Sequence, residues 1–371
     1  MRYNEGTINL FGGSFMKDVR VAIIGQGRSG RNIHGAYFKS EANKFYEVKA
    51  VVEADPARRE LAIKEYPGCE TVESYTDLFG RNDIDIVVNA SWSEDHYRVT
   101  RDLLSHGFNV LVEKPMGRNR YECDDLMKCA KDNGVTLAVF QQSFFAPYYV
   151  FAKALCDSGK LGKIQQIDIK YNSFSRRWDW QTLQCKVAGS VYNTGPHPIG
   201  LALGFLDYDE NAEVKYSRLA LANASGDAED YAKIIISAPD KPVIDIEMNA
   251  IDAFAPKLMK ICGTKGTFSC DTAKYEMKYI VDGENPERPV IFGSLKDADG
   301  MPAYCSEKLE IHEESGEFEG TPFTTAVYSF YEMLHDTLKN GAPLKVTPET
   351  AARVIGIIEK VHADNPLPVR Y

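Results

Sequence analysis

The sequence predicts an α/β chain of two unlike halves: a doubly wound parallel sheet, then an α+β half with a large, mainly antiparallel open sheet. Three observations carry this. Short apolar runs alternate with helical periodicity from Val19 to Phe140. A glycine-rich turn, Gly25 to Gly30, follows the first of those runs. Beyond Phe140 the pattern changes to long stretches of period two. At 371 residues the chain exceeds one ordinary core and fits two domains.

The first strand, Val19 to Ile24, feeds Gly25-Gln26-Gly27-Arg28-Ser29-Gly30, and a helix is expected from Ser29 to Lys39. A buried strand, a glycine turn and a helix N-terminus place free backbone N–H groups and a positive dipole end around an anion. Gly25 permits the tight turn, Gly27 lets a pyrophosphate approach the backbone, and Gly30 lets the helix pack close to the strand. A second strand, Val48 to Val52, ends in Glu53, at the distance expected for a ribose-binding acid. Together these predict dinucleotide binding by a Rossmann domain spanning residues 16–140. Further strands are expected at Ile84–Ala90, Asn109–Val112 and Val135–Phe140, with helices at Asp95–His106 and Tyr121–Asp132. Ligands of such sheets bind outside the carboxyl ends of the strands.

Residues 141–371 form the second expected domain, for substrate binding and oligomerisation. A helix from Pro147 to Ser158 leads into alternating runs at Ile164–Phe174, Glu213–Ala222, Tyr231–Ala238, Val243–Ile251 and Lys257–Cys262. Their period is that of a half-exposed antiparallel sheet. Two helices, Thr325–Lys339 and Pro348–His362, close the chain.

Two motifs suggest chemistry. Glu113-Lys114-Pro115 stands at the end of the strand Asn109–Val112, so both charged side chains project toward the crevice of the glycine turn. Asn193-Thr194-Gly195-Pro196-His197 precedes an apolar helix, Ile199–Leu206, whose N-terminal dipole favours a neutral, base-competent imidazole at His197. By themselves, a solvated turn and a structural histidine would read the same way. The run Arg176-Arg177-Trp178-Asp179-Trp180 lies between them, and its Arg176, Trp178 and Trp180 are candidate substrate contacts, as is Gln142.

These pieces resemble the Gfo/Idh/MocA oxidoreductases, the glucose–fructose oxidoreductase and inositol dehydrogenase relatives. The resemblance covers nearly the whole chain from Met16. It rests on the glycine turn, Glu53, Ala90-Ser91-Trp92-Ser93-Glu94-Asp95-His96, Glu113-Lys114-Pro115 and the Asn193-to-His197 motif. It implies that Lys114 lies beside the nicotinamide and the reacting carbon, with His197 as proton acceptor. It also implies cofactor contacts from Gly25, Gln26, Gly27, Arg28, Ser29, Gly30, Glu53, Ser91, Trp92, His96, Glu113 and Lys114, with Asn193 near the substrate. The chain departs from the family pattern at Ser91-Trp92-Ser93, where threonine-proline-asparagine is usual, and at Asn193 and Gly200, where acids are common. The expected activity is NAD-dependent hydride transfer with a sugar, cyclitol or related polyol, with NADP less favoured. Two alternatives stand: transient oxidation that permits glycoside cleavage or elimination, and a non-catalytic dinucleotide sensor.

Composition sets the remaining limits. A net charge of −10 without a basic block argues against nucleic-acid binding. No apolar run approaches membrane-spanning length. Eight scattered cysteines without a CxxC pair suggest a reduced, cytoplasmic setting, and neither they nor the seven histidines have zinc-ligand spacing, so no metal is expected. The half-exposed sheet suggests a homodimer or homotetramer. Met1 to Phe15 lack signal-peptide character and look detached from the fold. Met16 is the expected true start, and an intact mass that included Met1 to Phe15 would refute this.

Overall fold

The computed structural model describes residues 17–254 and 257–371. The expectation about Met1 to Phe15 lies outside them. Six parallel strands form the first sheet: β1 (Val19–Ile24), β2 (Tyr46–Val52), β3 (Glu70–Val72), β4 (Ile86–Asn89), β5 (Asn109–Val112) and β6 (Leu137–Val139). Their spatial order is β3-β2-β1-β4-β5-β6. The chain turns away from β1 in opposite directions to reach β2 and β4, which opens a crevice at the carboxyl ends of these central strands. Every residue of β4 and β6 is buried, as a parallel sheet covered on both faces requires. Edge strand β3 escaped sequence reading because Glu70-Thr71-Val72 is too short and too polar to show a period.

A π turn, Gly30–His34, runs directly into α1 (Gly35–Lys39), so the helix expected from Ser29 is present but its first turn is widened by one residue. The other helices of this half are α2 (Pro56–Glu65), α3 (His96–Ser105) and α4 (Arg120–Asn133). Their ends follow from local chemistry. Asp55 caps α2 ahead of Pro56 at its first turn, while Asn119 caps α4 and left-handed Gly134 ends it.

After α5 (Pro147–Asp157) comes β7 (Ile164–Asn172), then α6 (Ser190–Asn193) and α7 (Pro196–Phe205). The remaining strands are β8 (Glu213–Ala220), β9 (Tyr231–Ser237), β10 (Val243–Asn249), β11 (Met259–Gly263), β12 (Gly266–Cys270), β13 (Lys274–Tyr279) and β14 (His312–Glu317). They form an eight-stranded sheet in the order β14-β13-β12-β11-β7-β10-β9-β8. Only β7 and β10 pair in parallel. Ile167 and Ile169 of β7 and Ile244 and Ile246 of β10 face the core, while Asp168, Lys170, Asp245 and Glu247 alternate outward. Strands β12 to β14 were not read from the sequence; of these, β14 is acidic and largely exposed and carries no apolar alternation.

The last two helices, α8 (Pro322–Asn340) and α9 (Pro348–Asp364), return to the first half. Val327, Phe330, Tyr331 and Leu334 of α8 share one buried cluster with Val19, Val21 and Ile23 of β1. The end of the chain therefore covers one face of the parallel sheet. The Tyr331 ring lies flat on Tyr37 at 4.4 Å, and the Tyr46 hydroxyl donates to the Tyr331 carbonyl at 2.8 Å.

Candidate active site

Strand β1 delivers the chain to Gly25, whose φ of +90° only glycine adopts easily. A side chain there would put Cβ 2.5 Å from the Ala90 carbonyl oxygen, and one at Gly30 would put it 1.8 Å from the Gly25 carbonyl oxygen. At Gly27 an added Cβ would meet nothing within 4 Å, so the turn presents open space there. The Glu53 carboxylate, at the head of β2, accepts hydrogen bonds from the Gln26 N–H at 2.8 Å and the Asp55 N–H at 3.0 Å. Arg58 lies 3.8 Å from the same carboxylate. Two buried polar atoms beside this turn, Gln26 Oε1 and Ser91 Oγ, have no partner among the described residues. Buried polar atoms are normally paired, so open space, unpaired acceptors and a positioned acid together fit a dinucleotide.

Glu113 is buried at the end of β5. Its Oε1 lies 3.2 Å from His34 Nε2 and its Oε2 accepts from the Lys114 N–H at 3.1 Å. Burial alone would raise the carboxyl pKa, but the His34 hydrogen bond and the adjacent Lys114 charge hold it below the usual carboxylate range. His34 Nδ1 in turn lies 2.6 Å from the Tyr331 hydroxyl. A buried chain thus runs from α8 through the π turn to the strand end that carries Lys114. Glu113, expected at the cofactor, has one protein contact on each of its oxygens. His96 likewise sits with Nδ1 2.8 Å from the Pro115 carbonyl oxygen and Nε2 3.2 Å from that of Ser91. Burial lowers its pKa, and a neutral imidazole donates only once, so one of the two carbonyls receives its N–H. His96, which the sequence suggested as a cofactor contact, ties the Ser91 and Pro115 loops together.

Lys114, half-buried beside a cis bond to Pro115, donates from Nζ to the Asn193 carbonyl oxygen at 2.6 Å. Burial lowers the lysine's pKa, and Arg28 adds to this. The contact carries Lys114 across the crevice to the segment that leads into His197. His197 Nδ1 lies 3.1 Å from the Ser143 hydroxyl. Burial and the Lys114 charge push the imidazole down to about 3, against a smaller upward pull from Glu113. His197 is therefore a neutral ring over the ordinary pH range. The Asn193 amide donates to the Gln181 carbonyl at 3.0 Å, and its Oδ1 is buried without a partner among the described residues. Gln142 Oε1 is in the same condition.

A cavity of about 220 Å³ opens beside Asn193 and Thr194, lined also by Tyr171, Ser173, Arg177 and Asn249. Its lining includes Arg177, which sequence reading did not single out, and not Arg176. Odd-numbered residues of β7 face inward, and that alternation carries on to Arg177, so Arg177 lines the cavity and Arg176 does not. Arg176 bonds Asn223 at the surface, and Trp178 is 79% exposed. Trp180 meets Trp92 edge to face, with ring centroids 4.9 Å apart. Beside them Lys186 and Glu94 form an ion pair at 2.6 Å, so the second half clasps the loop after β4.

Sequence reading missed His34, Tyr331 and Ser143. Tyr331 is far from the motifs in the chain, while His34 lies four residues past the glycine turn, in the helix expected there. Ser143 had one available signal, its place just past the last parallel strand, where Gln142 was singled out. It also missed Glu229, which accepts from the Val191 N–H at 2.9 Å and faces His362 of α9 at 3.2 Å, so that α6 is fixed from behind.

Comparison with known proteins agrees with this architecture. Residues 19–141 match the oxidoreductase family with an NAD-binding Rossmann fold, and residues 149–269 match the GFO/IDH/MocA C-terminal domain. The chain belongs to the Gfo/Idh/MocA oxidoreductase family. It is 24% identical over 360 residues to scyllo-inositol 2-dehydrogenase (NADP(+)) IolW of Bacillus subtilis, covering 92% of both chains. It is 26% identical over 184 residues to an inositol 2-dehydrogenase/D-chiro-inositol 3-dehydrogenase of Lactiplantibacillus plantarum, covering 49% of this chain and 51% of that one. Its fold is similar to that of GenD2 from gentamicin A biosynthesis, solved in complex with NAD, with a TM-score of 0.74 and 20% identity over 97% of this chain and 98% of that one. Among the described residues no helix is long and apolar enough to cross a membrane.

Proposed function

We propose that this protein is an NAD-dependent dehydrogenase or reductase of a sugar, cyclitol or related polyol, with Lys114 and His197 at the reacting oxygen. The observation that supports the reading is that Lys114, from the end of β5, reaches the segment that leads into His197. Lys114 Nζ reaches the Asn193 carbonyl, and its charge helps hold His197 neutral. The glycine-turn amides would hold the pyrophosphate and Glu53 the ribose hydroxyls, with Gln26 and Ser91 offering polar atoms beside them. When bound, NAD supplies the hydride acceptor. The chain's own residues handle the proton. Neutral His197 accepts it from the substrate hydroxyl through Nε2, the nitrogen that Ser143 leaves free. The Lys114 ammonium donates to the oxygen as negative charge develops there. The cavity's hydroxyls and amides, Ser173, Asn193 and Asn249 among them, suit a polyhydroxylated substrate.

The preference for NAD rests on Glu53, because a 2′-phosphate would bring negative charge against its carboxylate. Arg58 is the counterweight at 3.8 Å. The test is a panel of inositols, sugars, sugar acids and sugar phosphates, followed by NADH absorbance. Stoichiometric NADH formation with at least one polyol is expected. Tight NAD binding with no net cofactor change across the panel would overturn the reading in favour of a sensor or transient-oxidation enzyme.

A further inference from the structure

We propose that Ser143 is a positioning residue that sets which ring nitrogen of His197 carries hydrogen, and that with Gln141 it holds the histidine in place. The proposal rests on the reading of His197 as a base. The turn that follows β6 meets the His197 segment at three points. Gln141 Nε2 donates to the Pro196 carbonyl at 3.2 Å, Ser143 Oγ meets His197 Nδ1 at 3.1 Å, and Phe144 lies against Gly200, where an added Cβ would come within 3.1 Å of its ring. Gln141 and Ser143 are both buried. The contacts span more than fifty positions in the chain, and they join the end of the parallel sheet to the first turn of α7.

A neutral imidazole has one N–H and one lone pair. To take a proton at Nε2, His197 must carry its hydrogen on Nδ1, and an Nδ1–H needs an acceptor. Ser143 Oγ is the acceptor present. The groups that bear on the ring can be named from each packed element: the Lys114 ammonium and Glu113 carboxylate from the end of β5, and the uncharged Ser143 from the turn. Its own helix, α7, has no charged residue. A carboxylate at position 143 would stabilise imidazolium, whereas a hydroxyl orients the ring without making it a poor proton donor on the return step. In oxidation the substrate O–H proton passes to Nε2, the Nδ1–H stays bonded to Oγ, and the serine keeps its own proton.

The test has a readout independent of turnover. Nitrogen-15 spectra of histidine-labelled protein, with the His197 signals assigned by their loss in His197→Gln, report ring protonation directly. The Nδ1–H form is expected in the wild type, a mixture of both tautomers in Ser143→Ala, and return of the Nδ1–H form in Ser143→Thr. With a substrate in hand, Ser143→Ala should lower kcat roughly tenfold, about the worth of one hydrogen bond, with little change in KM. Ser143→Asp should move the acidic limb of kcat/KM upward. An Nε2–H tautomer in the wild type, or unchanged spectra in a folded Ser143→Ala, would overturn the proposal. If His197→Gln kept full turnover while the Ser143→Ala spectra changed as expected, the base assignment would fail and the positioning role would stand.

Discussion

Substituting alanine separately at Gly27 and Gly30 should separate cofactor binding from folding within one turn. At Gly27 the added methyl meets no protein atom within 4 Å, and the backbone is not in the left-handed region. Gly27→Ala should therefore fold normally, and the loss of one flexible glycine from the unfolded chain should stabilise it by about 0.4–1 kcal/mol. The methyl would stand where a pyrophosphate must come close. Losing one good phosphate contact, about 1.4 kcal/mol, weakens NAD about tenfold. At Gly30 the methyl would sit 1.8 Å from the Gly25 carbonyl oxygen, so strand and helix must separate. That overlap should cost about 1–3 kcal/mol or more. Thermal melts with and without NAD read both effects. At NAD one hundred times the wild-type Kd, the stabilisation of about 2.7 kcal/mol should fall to about 1.4 kcal/mol in Gly27→Ala. Gly30→Ala should instead melt early without ligand. If Gly27→Ala melted early too, or kept the full NAD-induced shift, the assignment of that open space to a pyrophosphate would be refuted.

Lys114→Ala and His197→Ala should each lower turnover about a hundredfold to ten-thousandfold while NAD affinity is largely kept; near-native turnover in both would remove the pair from the chemistry. Because His197 is pushed down to about 3, it is already neutral above that pH, so kcat/KM for oxidation should show no acidic limb near the ordinary histidine value of about 6.5. A limb there that disappears in His197→Ala would contradict the burial argument. Asn193→Asp puts a carboxylate beside Lys114 and the His197 segment, which favours the protonated imidazole and should move the acidic limb upward by about one unit. An unshifted profile would leave Asn193 a structural residue. Fluorescence titration should show tighter binding of NAD than NADP, and Glu53→Gln should narrow the gap; tighter NADP binding in the wild type would reassign the specificity to Arg58.

Local chemistry made much of this legible from sequence. The glycine turn and Glu53 are written in a strand-turn-helix pattern whose physical demands act on neighbouring residues. The second half was legible as a sheet because Ile167, Ile169, Ile244 and Ile246 alternate with charged residues. What escaped was whatever depends on distant segments meeting. Nothing in Tyr331 or His34 announces that they face each other across nearly three hundred positions. The acidic edge strand β14 lacks the apolar rhythm that marks the others. Arg177 was legible in principle, since extending the inward parity of β7 by a few residues selects it over Arg176.

The placement of the three tryptophans, Trp92, Trp178 and Trp180, has a practical consequence. All three lie in or next to the clasp where the second half holds the loop after β4, and Trp92 and Trp180 touch. The protein therefore carries a built-in optical probe at the mouth of its crevice, with no indole elsewhere to dilute the signal. Intrinsic emission reports this one location, and energy passed from these indoles to bound reduced nicotinamide would measure occupancy without a label. The rate of cofactor binding can be followed by this signal in a stopped-flow instrument on the unmodified chain.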